Sequence, residues 1–186
     1  MEKYTVWSKV AWPTALLLLA CSFSAQATAP RITAQLFGDE KKADIVAYQS
    51  ATADTKSETE LTLDIVTEAF KASGKAPIID VLPSQQLATY ALFNSEAVAL
   101  MGSAQDLAGQ DKKKYNVVAF YLRGAQDEPV VLIFSKVSGK ELHKAFVAGM
   151  KKILKSGKYL QRVEKSRGKL PADYVGRVQR LNPNWK

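Results

Sequence analysis

Apolar residues fall in short blocks along this chain, and the blocks alternate between two spacings. Residues 43–50 (ADIVAYQS), 77–82 (PIIDVL), 97–101 (AVALM), 116–122 (NVVAFYL) and 129–135 (PVVLIFS) are compact apolar runs bounded by turn formers, and they read as strands. The run 97–101 has no polar position, which predicts burial on both faces. Between these runs the period lengthens. Leu61, Ile65, Val66, Ala69 and Phe70 share one helical face, opposite Thr62, Asp64, Glu68 and Lys71. Ser57 and Glu60 fit a capping box at the start of that helix, and Gly74 fits its stop. Pro83-Ser84 predicts a second helix through Leu87, Tyr90, Ala91 and Leu92, ending near Asn94-Ser95. Ser103 and Asp106 predict the start of a short helix that reaches Lys112-Lys113-Lys114. A long helix is expected from a Ser138/Glu141 cap to Gly157, burying Leu142, Phe146, Met150, Ile153 and Leu154. Residues 159–165 read as a further helical segment, and residues 171–181 add a turn or two. Ahead of all this, residues 28–44 form a leader of mixed signals in which 32–37 reads as a short strand.

Strand, helix, strand, helix, strand, short helix, strand, strand, helix is the pattern of an α/β domain. It predicts a three-layer sandwich with a mostly parallel, helix-covered sheet. Ligands of such sheets bind at the carboxyl ends of the strands, where helices begin. Three polar clusters follow apolar strands there: Gln49 and Ser50, Ser84 and Gln85, then Gly102, Ser103 and Gln105. Two readings of them stand side by side. The serines cap helices, or the clusters form a rim whose free N–H groups take a small anion or metabolite. On the second reading the Lys112–Lys114 run adds a cation to the same edge.

The N-terminus changes the expected location. Lys3 and Lys9 precede an uncharged stretch, residues 10–23, and Ala25-Gln26-Ala27 supplies small residues at the spacing signal peptidase requires. Residues 1–27 are therefore expected to be a cleaved signal peptide and the protein periplasmic, the apolar run being short of the roughly 20 residues that span a bilayer. Leu18-Leu19-Ala20-Cys21 resembles a lipobox and is the competing reading, with a lipidated Cys21. Cleavage after Ala27 leaves 159 residues and no cysteine, enough for one domain with a real core. The expected organisation is signal peptide 1–27, leader 28–44, α/β domain 45–168 and basic C-terminal tail 169–186.

Charge is divided along the chain. Residues 28–135 carry ten Lys/Arg against fourteen Asp/Glu, whereas residues 136–186 carry fourteen against three, a net of +11. Such a half is either a solvated helix face with a basic tail, or a surface for an acidic protein partner or an anionic envelope surface. No zinc finger or aromatic-studded basic ribbon is present, so sequence-specific nucleic-acid binding is not expected. His143 is the one histidine, expected at the surface. No phosphate-cradling glycine loop or nucleophile–base motif accompanies it. No metal, cofactor or enzymatic activity is expected.

Four stretches carry a family resemblance: residues 63–70 (LDIVTEAF) with Gly74; 97–103 (AVALMGS); 112–120 (KKKYNVVAF); and 131–136 (VLIFSK) through Gly157-Lys158-Tyr159-Leu160. In that order they resemble the periplasmic solute-binding proteins of the amino-acid-binding type that serve ABC transporters, over about residues 45–168. The resemblance implies one lobe of such a protein and a non-enzymatic solute-binding role. Two departures qualify what is inherited. The family inserts a second lobe after the strand equivalent to 116–122, where this chain has only residues 123–128. The family arginine that grips an amino acid's carboxylate falls at Lys112–Lys114, and lysine is a point charge, not a bidentate fork. The alternative function is a protein–protein or envelope-surface interaction module that has lost solute binding and uses its basic C-terminal helix and tail.

Overall fold

In the computed structural model the described residues are 42–48, 53–123, 127–182 and 185. The expected signal peptide with Cys21, the expected strand over 32–37, Gln49 and Ser50 lie outside them. The apolar runs become five short strands: β1 (Ile45–Tyr48), β2 (Ile79–Leu82), β3 (Ala99–Gly102), β4 (Tyr115–Arg123) and β5 (Glu128–Ser135). The helices are α1 (Ala53–Ala72), α2 (Gln85–Phe93), α3 (Lys140–Lys155), α4 (Lys158–Arg167) and α5 (Tyr174–Arg180). Two 3-10 turns, Ala104–Leu107 and Lys112–Lys114, connect β3 to β4.

The strands form one sheet in the order β2-β1-β3-β5-β4. β1 pairs parallel with β2 and β3, but β5 is antiparallel to both of its neighbours, β3 and β4. The sheet is thus mixed, and the mostly parallel expectation is corrected by the β4–β5 pair. Arg123 is opposite Glu128 across that pair, so residues 123–128 join neighbouring strands, and so short a link can only return the chain antiparallel.

Period-two alternation sorts the strand side chains onto two faces. Ile45, Ala47, Ala99, Met101, Leu132 and Phe134 join Val66, Phe70, Phe146 and Met150 from α1 and α3. Val46, Leu100, Val131 and Ile133 join Ala88, Ala91 and Leu92 from α2. All four residues of β3 are buried because both of its faces are covered. α1 and α3 approach closely at Gly149, where a Cβ would fall 1.7 Å from the Ala69 carbonyl oxygen. Residues 169–182, read in the sequence as tail, supply α5, whose Tyr174 and Val178 are buried with α3 and β4.

Two expected caps are replaced. α1 begins at Ala53, so Ser57 and Glu60 lie inside the helix, where N–H groups bond to carbonyls four residues back. α3 is entered through Gly139 with no side-chain cap, and the Ser138 N–H donates to Ser135 Oγ at 3.3 Å. Glycine is required at 139 because a Cβ would sit 2.8 Å from both the Ser135 and the Val98 carbonyl oxygens.

Candidate functional site

Because β1, β2 and β3 are parallel neighbours, Tyr48, Leu82 and Gly102 end at one rim of the sheet. Ser84 follows β2 with extended backbone, and its Oγ accepts from the Leu87 N–H at 3.3 Å, capping α2. Ser103 follows β3 and its Oγ accepts from the Gln105 N–H at 3.2 Å. Asp106 completes the expected capping box by accepting from the Ser103 N–H at 2.8 Å.

Asp106 does more than cap. Its carboxylate is only 5% exposed and also accepts hydrogen bonds from Tyr48 Oη, at 3.1 Å, and from Gln85 Nε2. Gly102 makes room for it, since a Cβ there would fall 2.1 Å from Asp106 Oδ2 and 3.1 Å from the Tyr48 ring. Burial, followed by the Asp106 charge and the hydrogen bond to it, pushes the Tyr48 phenol up to about 12. Tyr48 therefore stays a neutral donor at any physiological pH.

Of the expected rim residues, Gln85, Gly102 and Ser103 are brought together around Asp106. Ser84 is directed to its own helix, and Gln105 is exposed. Tyr48 and the centring role of Asp106 were not legible beforehand. The capping-box spacing marked Asp106 only as a cap, and a tyrosine at a strand end carries no signal of its own. Lys112–Lys114 is corrected in position. It precedes β4, whose Asn116 is level with Ile45 through Phe134 and Ala99, so the lysines lie at the opposite end of the sheet from the rim. The reason is directional: β4 runs the same way as β1, and the run sits at its start.

The rim's chemistry is that of a satisfied cluster. The Ser103 N–H, the Gln85 amide and the Tyr48 hydroxyl all point at an internal carboxylate, and that carboxylate repels a second anion. Among the described residues no group of His, Cys, Asp and Glu is arranged to hold a metal, and no helix is long and apolar enough to cross a membrane.

Away from the rim, a groove of about 410 Å³ lies between α3, the first half of β4 and Leu181, Asn182 and Trp185. Val118, Val147, Ala148, Leu181 and Trp185 line it, with Lys144 and Lys151 at its border. His143, expected at the surface, is half-buried in this groove, its ring edge-on to Phe134 at 5.3 Å between centroids. Burial lowers its pKa, favouring the neutral imidazole. No sequence signal marked the groove, because its walls come from three segments far apart in the chain.

Comparison with protein-family models, curated proteins and solved structures finds no match to this chain.

Proposed function

We propose that this protein is a non-enzymatic interaction module of the periplasm, built on a three-layer lobe of the solute-binding-protein type, that engages its partner through the basic α3 face. The observation that carries this reading is the contrast between the rim and the groove. At the rim, the Tyr48 hydroxyl, the Gln85 amide and the Ser103 N–H already donate to Asp106. The groove beside α3 is lined by Val118, Val147, Ala148, Leu181 and Trp185, with Leu181 47% exposed. Lys140, Lys144, Lys151 and Lys155 are exposed along the same helix, within a C-terminal region of net charge +11. A large part of these lysines' stems and the apolar floor form a mixed surface of the type partners use.

The link between β4 and β5 supports the same reading. A solute carrier of this type buries its ligand between two lobes, and a lone rim buries far less of a small molecule. The competing reading, a small anion or metabolite held at the rim, rests on the convergence of Gln85, Gly102 and Ser103 there.

Two measurements separate the readings. Thermal denaturation against a panel of amino acids, carboxylates, phosphate and sulfate is expected to leave Tm unchanged, since only a bound ligand raises it by mass action. In-cell cross-linking is expected to capture a partner that is lost when Lys144, Lys151 and Lys155 are reversed to Glu and retained in Ser84→Ala and Gln85→Ala. A metabolite that raises Tm, with the rise abolished by Gln85→Ala, would establish the rim instead.

A further inference from the structure

β4 is an edge strand, and its outward backbone groups are treated differently along its length. At Ala119 the N–H donates to Asn182 Oδ1 at 3.2 Å, and Asn182 Nδ2 donates to the Ala119 carbonyl at 2.7 Å. One buried side-chain amide thus stands where a neighbouring strand's peptide group would. At Leu122 the N–H donates to Tyr174 Oη at 3.3 Å, and Arg167 donates to the carbonyl at 2.7 Å. The second half of the edge is therefore covered by side chains from α4 and α5 and by Asn182, two residues beyond α5.

Among the described residues nothing comparable covers the first half. An antiparallel ladder alternates between inward and outward pairs, and the outward groups of Ala119 set its phase. Val117, two residues earlier and opposite Ile133, must present its N–H and carbonyl outward as well. Among the described residues none pairs with them. Val117 lines the groove together with Val118, Val147, Leu181 and Trp185.

We infer that this half-edge is a strand-addition site for an extended apolar segment of a partner protein that carries acidic residues at its ends. The inference rests on the interaction-module reading and names the partner's chemistry. Pairing with Val117 supplies main-chain hydrogen bonds, and alternate side chains enter the apolar groove. Lys144 and Lys151 border that groove, and Lys114 and Lys136 lie at its β4 start, where the Lys136 N–H donates to the Lys114 carbonyl at 2.9 Å. Glu141 is the acid on this stretch of α3, and it is paired to Lys144 at 3.3 Å. The complementary segment accordingly carries acidic residues at its ends. Four residues of edge, Tyr115 to Val118, span about 13 Å, so the contact is short and its affinity depends on both the pairing and the charge.

The test uses the mature protein and an amidated, fluorophore-labelled seven-residue peptide with a valine–threonine core and glutamates at both ends, with its lysine counterpart and a backbone N-methylated version. Fluorescence polarisation should show saturable binding of the glutamate peptide only, weakened at least tenfold by N-methylation. Val117→Pro removes the outward N–H without removing a ladder bond and should weaken binding by a similar factor. Circular dichroism and Tm verify that this variant is folded, and Val117→Thr, which keeps the N–H, should bind like the wild type. Lys144→Glu with Lys151→Glu should reverse the preference towards the lysine peptide. Binding that is lost on charge reversal but indifferent to Val117→Pro and N-methylation would overturn strand addition while leaving the interaction face standing. Absence of saturable binding would overturn the inference, as would a dimer in sedimentation velocity that Val117→Pro dissociates, since a second copy would then occupy the edge. Charge reversal that leaves both peptide binding and the cross-linked partner intact would sink the broader reading too.

Discussion

Asp106 shows how one buried carboxylate organises a strand-end rim. Its three donors come from three segments: Tyr48 at the end of β1, Gln85 at the start of α2 and the Ser103 backbone after β3. Removing the acceptor strands these donors, so Asp106→Ala should lose about 2 kcal/mol of stability in urea denaturation. Retention of full stability would mean that water replaces the carboxylate without cost. Tyr48 supplies a second expectation, with a sign fixed by its environment. Its folded pKa, about 12, lies above the ordinary 10.0, so the folded state holds a proton that the unfolded chain releases first. That contribution is complete below pH 10 and is lost as pH rises from 10 through 12. Tyr121, also pushed up to about 12 chiefly by burial, adds a loss of the same sign. Denaturation midpoints followed across this window should fall less steeply for Tyr48→Phe than for the wild type.

At the scale of elements, the helix that the sequence described best concealed its tightest contact. Phe146, Met150 and Ile153 are buried as the 3.6-residue spacing required. Gly149, between them, reads in sequence as a mere weak point in a helix, yet α1 and α3 touch through it. Helix propensity alone makes Gly149→Ala stabilising by about 1 kcal/mol. The clash with the Ala69 carbonyl makes it destabilising by about 3 kcal/mol, because backbone on both sides must move. Equilibrium denaturation reads the sign directly. The two mistaken caps teach a related point. Ser57 with Glu60, and Ser138 with Glu141, satisfy the same local pattern as Ser103 with Asp106, but only the last stands where a strand ends and a turn of helix begins.

For the whole molecule, the distribution of charge sets the functional question. Arg162 bridges to Asp64 and, at 3.0 Å, to Glu68, so part of the basic C-terminal region is spent on α1, and such partly exposed pairs contribute little to stability. The α3 lysines face outward instead, apart from Lys152, which donates to the Ala72 carbonyl at 3.0 Å. Location is a separate question, carried by residues 1–27. N-terminal sequencing of protein recovered from the periplasm should begin at Thr28, whereas a membrane-held chain starting at a modified Cys21 would establish lipidation.

What the chain determined by itself is what depends on neighbours in sequence: five apolar runs as strands, the buried stripes of α1 and α3, the Ser84 and Ser103 caps, and the short return from β4 to β5. These follow from side-chain periodicity and from backbone groups that must be satisfied within a few residues. Tertiary structure decided what depends on which strand lies beside which. Inserting β5 between β3 and β4 turned the sheet mixed and moved Lys112–Lys114 to the far end from the rim. Parallel packing of β1 against β2 and β3 brought Tyr48 and Gln85 to Asp106, so that these donors face an internal carboxylate. The edge position of β4 left Val117 facing a groove walled by α3 and the C-terminal end. Periodicity says which face of an element is buried, but not what lies across from it, because contacts between distant segments leave no pattern in either one.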